Sequence, residues 1–413
     1  MDRDQPAAGW RIGFVVLAPF VAGYFLSYFF RNINAVIAPD LIRDIGLTAS
    51  DLGLLTSAYF ITFAAFQMPL GALLDRFGPR RVHASLLLLA AAGACVFALA
   101  DSLAVLFVAR ALIGLGVSGA LMAALTAIVQ WFPPARWPLI NGLFMGLGGL
   151  GGLAATSPLE MALHVMDWRA VFLVLAAATV AVSAWIGFTV PDRPATAAPV
   201  PLGEQFRGYL VIARSREAWR ITPIVCVIFV ATLALQGLWL GPYLRDVSGL
   251  DRDAAALSLL AVALGFAVGS PVVGLLAGRW KRRGGELPDL VAIGGLPYVL
   301  CLGAAALNLF GGATWFWFLF GLLTNVASLG YPIISGLFPP AFAGRANTAI
   351  NMVMFISIFA MQNVMGRIID FWPSPAPGRF ATEGYAVNLW LLTGLAALSW
   401  AWLVFNRPRK PAA

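Results

Sequence analysis

Apolar runs of about twenty residues fill the chain from end to end, and this limits its fold more than anything else in it. Twelve such runs stand near 12–36, 51–74, 82–100, 104–130, 139–160, 169–190, 219–243, 254–278, 287–308, 313–337, 346–370 and 386–405. Each is long enough to cross a bilayer core as a helix. In lipid every backbone N–H and C=O must be satisfied within the chain, which restricts spanning segments to helices or closed barrels. Runs this long and this continuously apolar select helices. Charged residues make up only 11% of the sequence against 60% apolar ones, whereas soluble domains carry about a quarter charged. A soluble enzyme of this composition would lack the polar surface to face water. The expected fold class is an all-α membrane protein with 12 transmembrane helices.

Charge orients these helices. An even number of spans puts both termini on one side, together with the long polar stretch between the sixth and seventh runs. Most of the 27 Lys and Arg residues fall on that side, among them Arg76, Arg80, Arg81 and the cluster Arg279–Arg283. The opposite loops hold Arg43, Arg169, Arg245, Arg252 and Arg379. Basic residues stay in the cytoplasm, so the termini and linker are expected inside a bacterial cytoplasmic (inner) membrane. The net charge of +8 is then a topology signal, and a nucleic-acid partner is not inferred. The first run lacks a small-residue cleavage site and reads as the first span, not a signal peptide. Cys95, Cys226 and Cys301 stand alone in apolar runs, as packing thiols do, so neither a disulfide frame nor a metal site is expected.

The chain also repeats itself. GALLDRFGPRR at 71–81 returns, degraded, as GLLAGRWKRR at 274–283; WFPPAR at 131–136 returns as LFPPAF at 337–342, and Asn141 is echoed by Asn347. Echoes in register at half the chain length mean two related bundles. The expected division is residues 1–192 and 219–413 as pseudo-symmetric six-helix bundles, joined by a cytoplasmic linker at 193–218 that ends in a short surface helix. Membrane proteins doubled in this way place a solute site between their halves and work by alternating access.

With two six-helix halves and this loop between spans two and three, the sequence resembles the major facilitator superfamily over roughly 11–406. The family's loop motif is Gly, three residues, Asp, Arg, any, Gly, any, Arg, Arg, and Gly71, Asp75, Arg76, Gly78, Arg80 and Arg81 fill every position. Gly71 suits a close helix crossing and Gly78 a tight turn. Asp75 suits the positive end of a helix; by analogy that is the start of span eleven, near Arg345. The resemblance thus implies a cytoplasmic gate made by Asp75, Arg76 and Arg80. Arg80 and Arg81 also serve as topology anchors, and Gly278 replaces the acid in the second copy. Arg110, Gly114 and Gly116 in span four resemble the family's Arg-x-x-x-Gly-x-Gly motif. An intramembrane arginine needs a partner or a cavity, which implies an ion pair with Glu160 or a coupling role. Gly142, Gly146, Gly148, Gly149, Gly151 and Gly152 line span five like a motif of drug–proton antiporters, but without its proline between the glycines. A close-packed rocking helix is expected there.

Candidate solute contacts come from residue type and spacing. Tyr24, Tyr28 and Arg31 share one face of span one, with Ser27, Asn32 and Asn34 nearby. This resembles the anion:cation symporter branch, whose Tyr-x-Asp-Arg-x-Asn pattern carries an arginine that meets substrate carboxylates; here Phe30 replaces the acid and the amide stands at Asn34. The alternative is an arginine snorkelling to the interface. Span seven offers Gln236, Trp239 and Tyr243, span ten Asn325, Ser328 and Tyr331, and span eleven Asn347, Asn351, Ser357, Gln362 and Asn363. Asp40, Asp44, Asp51, Glu160 and Asp370 all lie near outer ends, so deep arginines outnumber deep acids and favour an anionic or zwitterionic solute. Met354, Met361 and Met365 suit copper(I) ligation or plain packing.

Taken together, the sequence is expected to be a secondary transporter of a small polar, anionic or zwitterionic organic solute. Tyr28, Arg31, Asn34, Gln236, Trp239, Asn325, Tyr331 and Asn351 are its substrate contacts. The lipid bilayer and a coupling proton or sodium ion are its other implied partners. One chain supplies both halves, which implies a monomer. The alternatives are an importer of a vitamin such as riboflavin or of copper, or a solute receptor on a transporter fold; the short tails favour transport over the receptor. His83 and His164 stand at opposite membrane edges, and no Ser-His-Asp set, zinc-ligand spacing or phosphate loop occurs. An enzyme, a cofactor and a resident metal are therefore not expected.

Overall fold

The structure is a computed structural model that describes residues 13–133, 136–191, 214–338, 340–376 and 378–406, with backbone alone at 13, 68, 138, 139 and 340–349. The linker expected at 193–218 lies outside the described residues up to 213, and so do the side chains of Arg345 and Asn347. Among the described residues every regular element is helical.

Eleven helices are long and apolar enough to cross a membrane, and a twelfth span results where one bent pair is counted as a unit. Spans one to four are Phe14–Asn32, Ala49–Gln67, Pro69–Ala98 and Leu103–Trp131, and span six is Trp168–Thr189. Spans seven to twelve are Arg216–Asp246, Arg252–Arg282, Leu287–Ala306, Thr314–Gly336, Ile350–Ile369 and Thr382–Phe405. Span five is the bent pair, Ile140–Ala154 and Ser157–Leu163, turned by 40°. Pro158 sits in the first turn of the second piece, where its missing N–H is tolerated but where it ends the preceding helix.

The boundaries follow local chemistry. The run Ala49–Ala98 that carries spans two and three is broken at Gly78, within the second range, whose φ of 78° and ψ of 162° belong to a region open to glycine alone. Asp167 caps span six through the Ala170 N–H at 2.8 Å, and Asp251 caps span eight through the Ala254 N–H at 2.8 Å. Thr48 and Asp51 make a reciprocal capping box at the start of span two, with N–H to side-chain oxygen distances of 2.9 and 3.2 Å. Span one runs on beyond its predicted end: after Ile33 a second helix, Asn34–Ile45, continues it, carried by buried Val36, Ile37, Ala38 and Leu41.

Chain contacts divide the molecule into two compact units. Unit 1 holds Met1–Asp40 and Leu54–Val200; unit 2 holds Leu41–Gly53 and Pro201–Ala413. The connection between spans one and two therefore belongs to unit 2, although the helices on both sides of it are in unit 1.

Within each unit, helices meet at glycine. A Cβ on Gly151 would strike the Phe25 carbonyl and one on Gly148 the Tyr24 ring, whereas Gly142, Gly146 and Gly149 have nothing within 4 Å. One face of span five thus lies against the span-one backbone. Gly114 packs on the Tyr59 carbonyl and Gly116 on the Ala90 amide, which seats span four against spans two and three. In unit 2, Gly265 and Gly321 face the backbone carbonyls of Phe318 and Val262, so spans eight and ten cross closely in the same way. Such crossings draw on dispersion and not on a hydrophobic drive, which lipid does not supply.

Candidate functional site

The centre of the span-one face is Arg31. It is 8% exposed, too buried for a side chain that snorkels to the interface. Its guanidinium carbon lies 4.8 Å from the Tyr28 ring centroid and 5.5 Å from that of Phe63, and the Tyr59 hydroxyl is also in its surroundings. Stacking on aromatic faces offsets part of the cost of burying the charge. The cage is itself braced. Tyr24 meets Tyr28 edge-on at 5.0 Å and stacks on Phe144 at 4.7 Å, and Tyr59 donates to the Ser27 carbonyl at 3.3 Å. Tyr59, Phe63 and Phe144 join this candidate cluster around Arg31, and sequence reasoning missed them because aromatic residues in apolar spans carry no distinguishing signal.

The amides nearby are mostly committed. Asn34 is fully buried and donates to Thr56 Oγ1 at 2.8 Å, locking the continuation of span one to span two. Asn32 donates to its own helix at the Tyr28 carbonyl, 2.9 Å away, while its Oδ1 has no partner. Asn34 Oδ1 is likewise without a partner, so both amides spend their N–H groups and leave an oxygen open.

Arg110 is 1% exposed. The expected ion pair with Glu160 is not formed. Arg110 Nη1 donates to the Phe30 carbonyl at 2.8 Å, its Cζ lies 5.4 Å from the Phe97 centroid, and its Nε and Nη2 have no partner. Phe30 sits in the last turn of the helix that ends at Asn32, where carbonyls lack intrahelical donors; the arginine fills that vacancy. Glu160 is instead 4.0 Å from His164 Nε2.

The loop motif is distributed differently from expectation. Arg80 donates through both Nε, at 2.9 Å, and Nη2 to the Gly187 carbonyl, near the end of span six, so it braces unit 1 internally. Arg76 is exposed and lies 5.1 Å from the Phe77 centroid, and Arg81 is exposed. Asp75 is half-buried and makes no hydrogen bond or ion pair with a described residue. A Cβ at Gly71 would meet nothing within 4 Å, so the close crossing expected there is not made.

In unit 2 the predicted residues fall into three groups. Gln236 and Trp239 lie in a π-helical turn, Leu235–Trp239, a distortion that concentrates at functional sites. Gln236 is 9% exposed, and the fully buried Trp239 has an indole N–H without a partner. Across from them Gln362 Nε2 donates to the Ala234 carbonyl at 3.4 Å, with its Oε1 unpartnered. Tyr331 donates to Asn351 Oδ1 at 2.5 Å and approaches the Met354 sulfur at 3.8 Å. Asn325 donates to the Phe266 carbonyl at 2.9 Å, at the glycine crossing of spans eight and ten, and is a structural tie. Met354 and Met365 are each 1% exposed, as core packing residues are.

Unit 2 contains one contact that the sequence did not suggest. The Asp370 carboxylate accepts from the Ala49 N–H at 3.1 Å and the Ser50 N–H at 2.8 Å, capping the start of span two. Gly53 and Gly366 bring the same two helices to backbone contact, against the Gln362 and Ala49 carbonyls respectively.

A family model described as Major Facilitator Superfamily matches residues 20–362. The probable sulfoacetate transporter SauU of Cupriavidus necator is 29% identical over 287 residues, 66% of this chain and 66% of that protein. The hexuronate transporter of Bacillus subtilis is 26% identical over 274 residues, 64% of this chain and 63% of its own length. The matched region therefore spans just under two thirds of these relatives. Among solved structures, a bacterial homolog of the human lysosomal transporter Spinster, inward-facing and unoccupied, superposes with a TM-score of 0.74 at 19% identity, over 95% of this chain and 96% of that one.

Proposed function

The chain belongs to the major facilitator superfamily, and from that premise we propose that it is a secondary transporter of a small organic anion, working by alternating access with both termini in the cytoplasm. The observation that carries this reading is Arg31, buried in the aromatic cage of Tyr28 and Phe63 on span one. A guanidinium presents paired donors in the geometry of a carboxylate or sulfonate. Its aromatic neighbours exclude water and supply flat faces for the rest of a small solute. Two relatives are named for sulfoacetate and hexuronate, both organic anions, which supports the same class. In unit 2, the buried Trp239 indole N–H is without a partner in the π-turn that also holds Gln236, which makes this turn a candidate solute contact of that unit.

The test is uptake of radiolabelled sulfoacetate and galacturonate into proteoliposomes, with Arg31→Ala and Arg31→Lys alongside. Saturable uptake of one anion by the wild type, abolished by Arg31→Ala and weakened by Arg31→Lys, is the expected result. Lys keeps the charge but loses the planar fork. Uptake that survives Arg31→Ala unchanged removes the span-one site from the mechanism.

A further inference from the structure

Of the two histidines, His164 is exposed and His83 is fully buried in unit 1. His83 stands in span three, three residues past Arg80, which is about 4.5 Å further along the helix axis. Its ring lies parallel to that of Phe20 in span one, with centroids 5.6 Å apart and planes 9° apart. Nε2 rests on the backbone of Gly23, where a Cβ would strike it. On the other side a Cβ at Gly119 would lie 3.9 Å from Nδ1. Gly119 stands where span four is interrupted, between the helices Leu103–Val117 and Ala120–Trp131. At this break the Ser118 carbonyl accepts from the Gln67 side chain at 3.2 Å.

A neutral imidazole carries one N–H donor and one lone-pair acceptor, and neither ring nitrogen of His83 has a hydrogen-bond partner. A phenyl ring would stack on Phe20 equally well and leave no polar atom unsatisfied, so packing does not account for an imidazole here. The titratable groups on the surrounding helices are engaged elsewhere. On span one, Tyr24 donates to Tyr28, and Arg31 lies over the Tyr28 ring. Arg110 of span four holds the Phe30 carbonyl, and Arg169 of span six the Ala98 and Ala100 carbonyls. On span two, Asp51 belongs to the capping box and Tyr59 donates to Ser27. On its own helix Arg80 holds the Gly187 carbonyl, and Asp75 lies beyond the break at Gly78. Spans one, four and six contain no carboxylate.

Ionisable groups kept inside a membrane mark paths for ions and protons. An imidazolium has two donors and a charge, and this niche offers neither acceptor nor counter-charge, so the ring is neutral in this conformation. We propose that His83 is the proton-carrying group of unit 1 and couples solute movement to a proton. In a conformation that admits water beside the span-four break, the ring's lone pair binds a proton from water. When the ring closes into the niche seen here, the proton returns to water. This rests on the transport reading and deepens it, naming the coupling ion and the group that carries it.

The test uses the purified full chain and has two independent arms. In the first, His164→Gln leaves His83 as the sole imidazole, which isotope-labelled histidine makes visible by NMR. Reversible conversion to imidazolium between about pH 5 and 8 is expected in the folded protein. A ring that stays neutral until the protein unfolds overturns the proposal, whatever transport shows. In the second arm, labelled sulfoacetate and galacturonate are followed in proteoliposomes with the membrane potential clamped at zero. One proton per anion predicts about tenfold accumulation by the wild type under a gradient of about one pH unit, acid outside. His83→Phe and His83→Gln should lose this accumulation and still exchange labelled for unlabelled anion at equal pH, which moves no net proton. One variant keeps the ring shape and the other keeps polarity, so a folding defect in either leaves the second to decide. Wild-type uptake indifferent to the gradient, or undiminished accumulation in a folded variant, overturns the proposal. So does loss of exchange along with accumulation in both variants when both melt as the wild type does. A wild type whose ring titrates but which moves neither anion counts against the transport reading instead.

Discussion

Gly151→Ala is the substitution whose outcome the packing dictates most directly. The new methyl carbon would press on the Phe25 carbonyl oxygen and lie 2.7 Å from the carbonyl carbon and 3.0 Å from Phe25 Cα. Non-bonded carbons rest at about 3.5 Å, so spans one and five must part by roughly 1 Å. The obstacle is backbone, which no rotamer change relieves. Overpacking of this kind costs roughly 1–3 kcal/mol, against a gain of about 1 kcal/mol from replacing glycine in a helix. At Gly148 the obstacle is the Tyr24 ring, a side chain that yields at the expense of its stacking on Phe144, so the cost should be smaller. At Gly149 nothing lies within 4 Å, and the propensity gain remains alone. The predicted order of stability is therefore Gly149→Ala, wild type, Gly148→Ala, Gly151→Ala. Thermal unfolding in detergent reads this order through maleimide labelling of buried Cys226 and Cys301, in a Cys95→Ala background because Cys95 is exposed. Unfolding of membrane proteins is often irreversible, so melting temperatures are compared at one scan rate. A Gly151→Ala protein that melts at or above the wild type refutes the close crossing, and with it the claim that span five positions the Arg31 face.

Two further outcomes concern the helical run Ala49–Ala98. Asp370→Ala removes both acceptors from the Ala49 and Ser50 N–H groups and should cost about 1–2 kcal/mol, read as a lower melting temperature; Asp370→Asn, which keeps one acceptor, should fall between, and equal stability of all three would show that the cap is not formed. Asp75→Asn should slow uptake while leaving anion binding intact, since Asp75 is uncommitted within unit 1; a matching loss of binding would move it from gate to site.

Much of the architecture was legible because two physical rules act on composition alone. Bilayer thickness sets the length of apolar runs, and the cost of charge in lipid leaves their ends marked by Arg, Asp and Gly. All twelve expected runs correspond to helices, and Gly78, Asp167 and Asp251 stand where the turns and caps do. The glycine face of span five was also legible as a contact, although which three of its glycines touch span one was not. The span-one end was misplaced because hydropathy falls at Asp40 and Arg43, whereas the helix continues on packing against protein.

The polar residues behaved otherwise. Arg31, Asn34, Arg80, Arg110 and Asn325 were all identified as important by type and depth, yet only the fold assigns their work. Arg80 holds the Gly187 carbonyl, Arg110 the Phe30 carbonyl, Asn34 the Thr56 hydroxyl and Asn325 the Phe266 carbonyl. Asp370 meets Ala49 across 321 positions of sequence. A buried hydrogen-bonding group must find a partner or leave one open for a ligand. The identity of such a group is written in the chain, but its nearest donor or acceptor depends on how helices distant in sequence cross. The sequence by itself therefore determined a doubled, twelve-span membrane protein with intramembrane arginines. Tertiary structure alone decided which of those charges close a helix end, as Arg110 does, and which lie buried against aromatic rings, as Arg31 does.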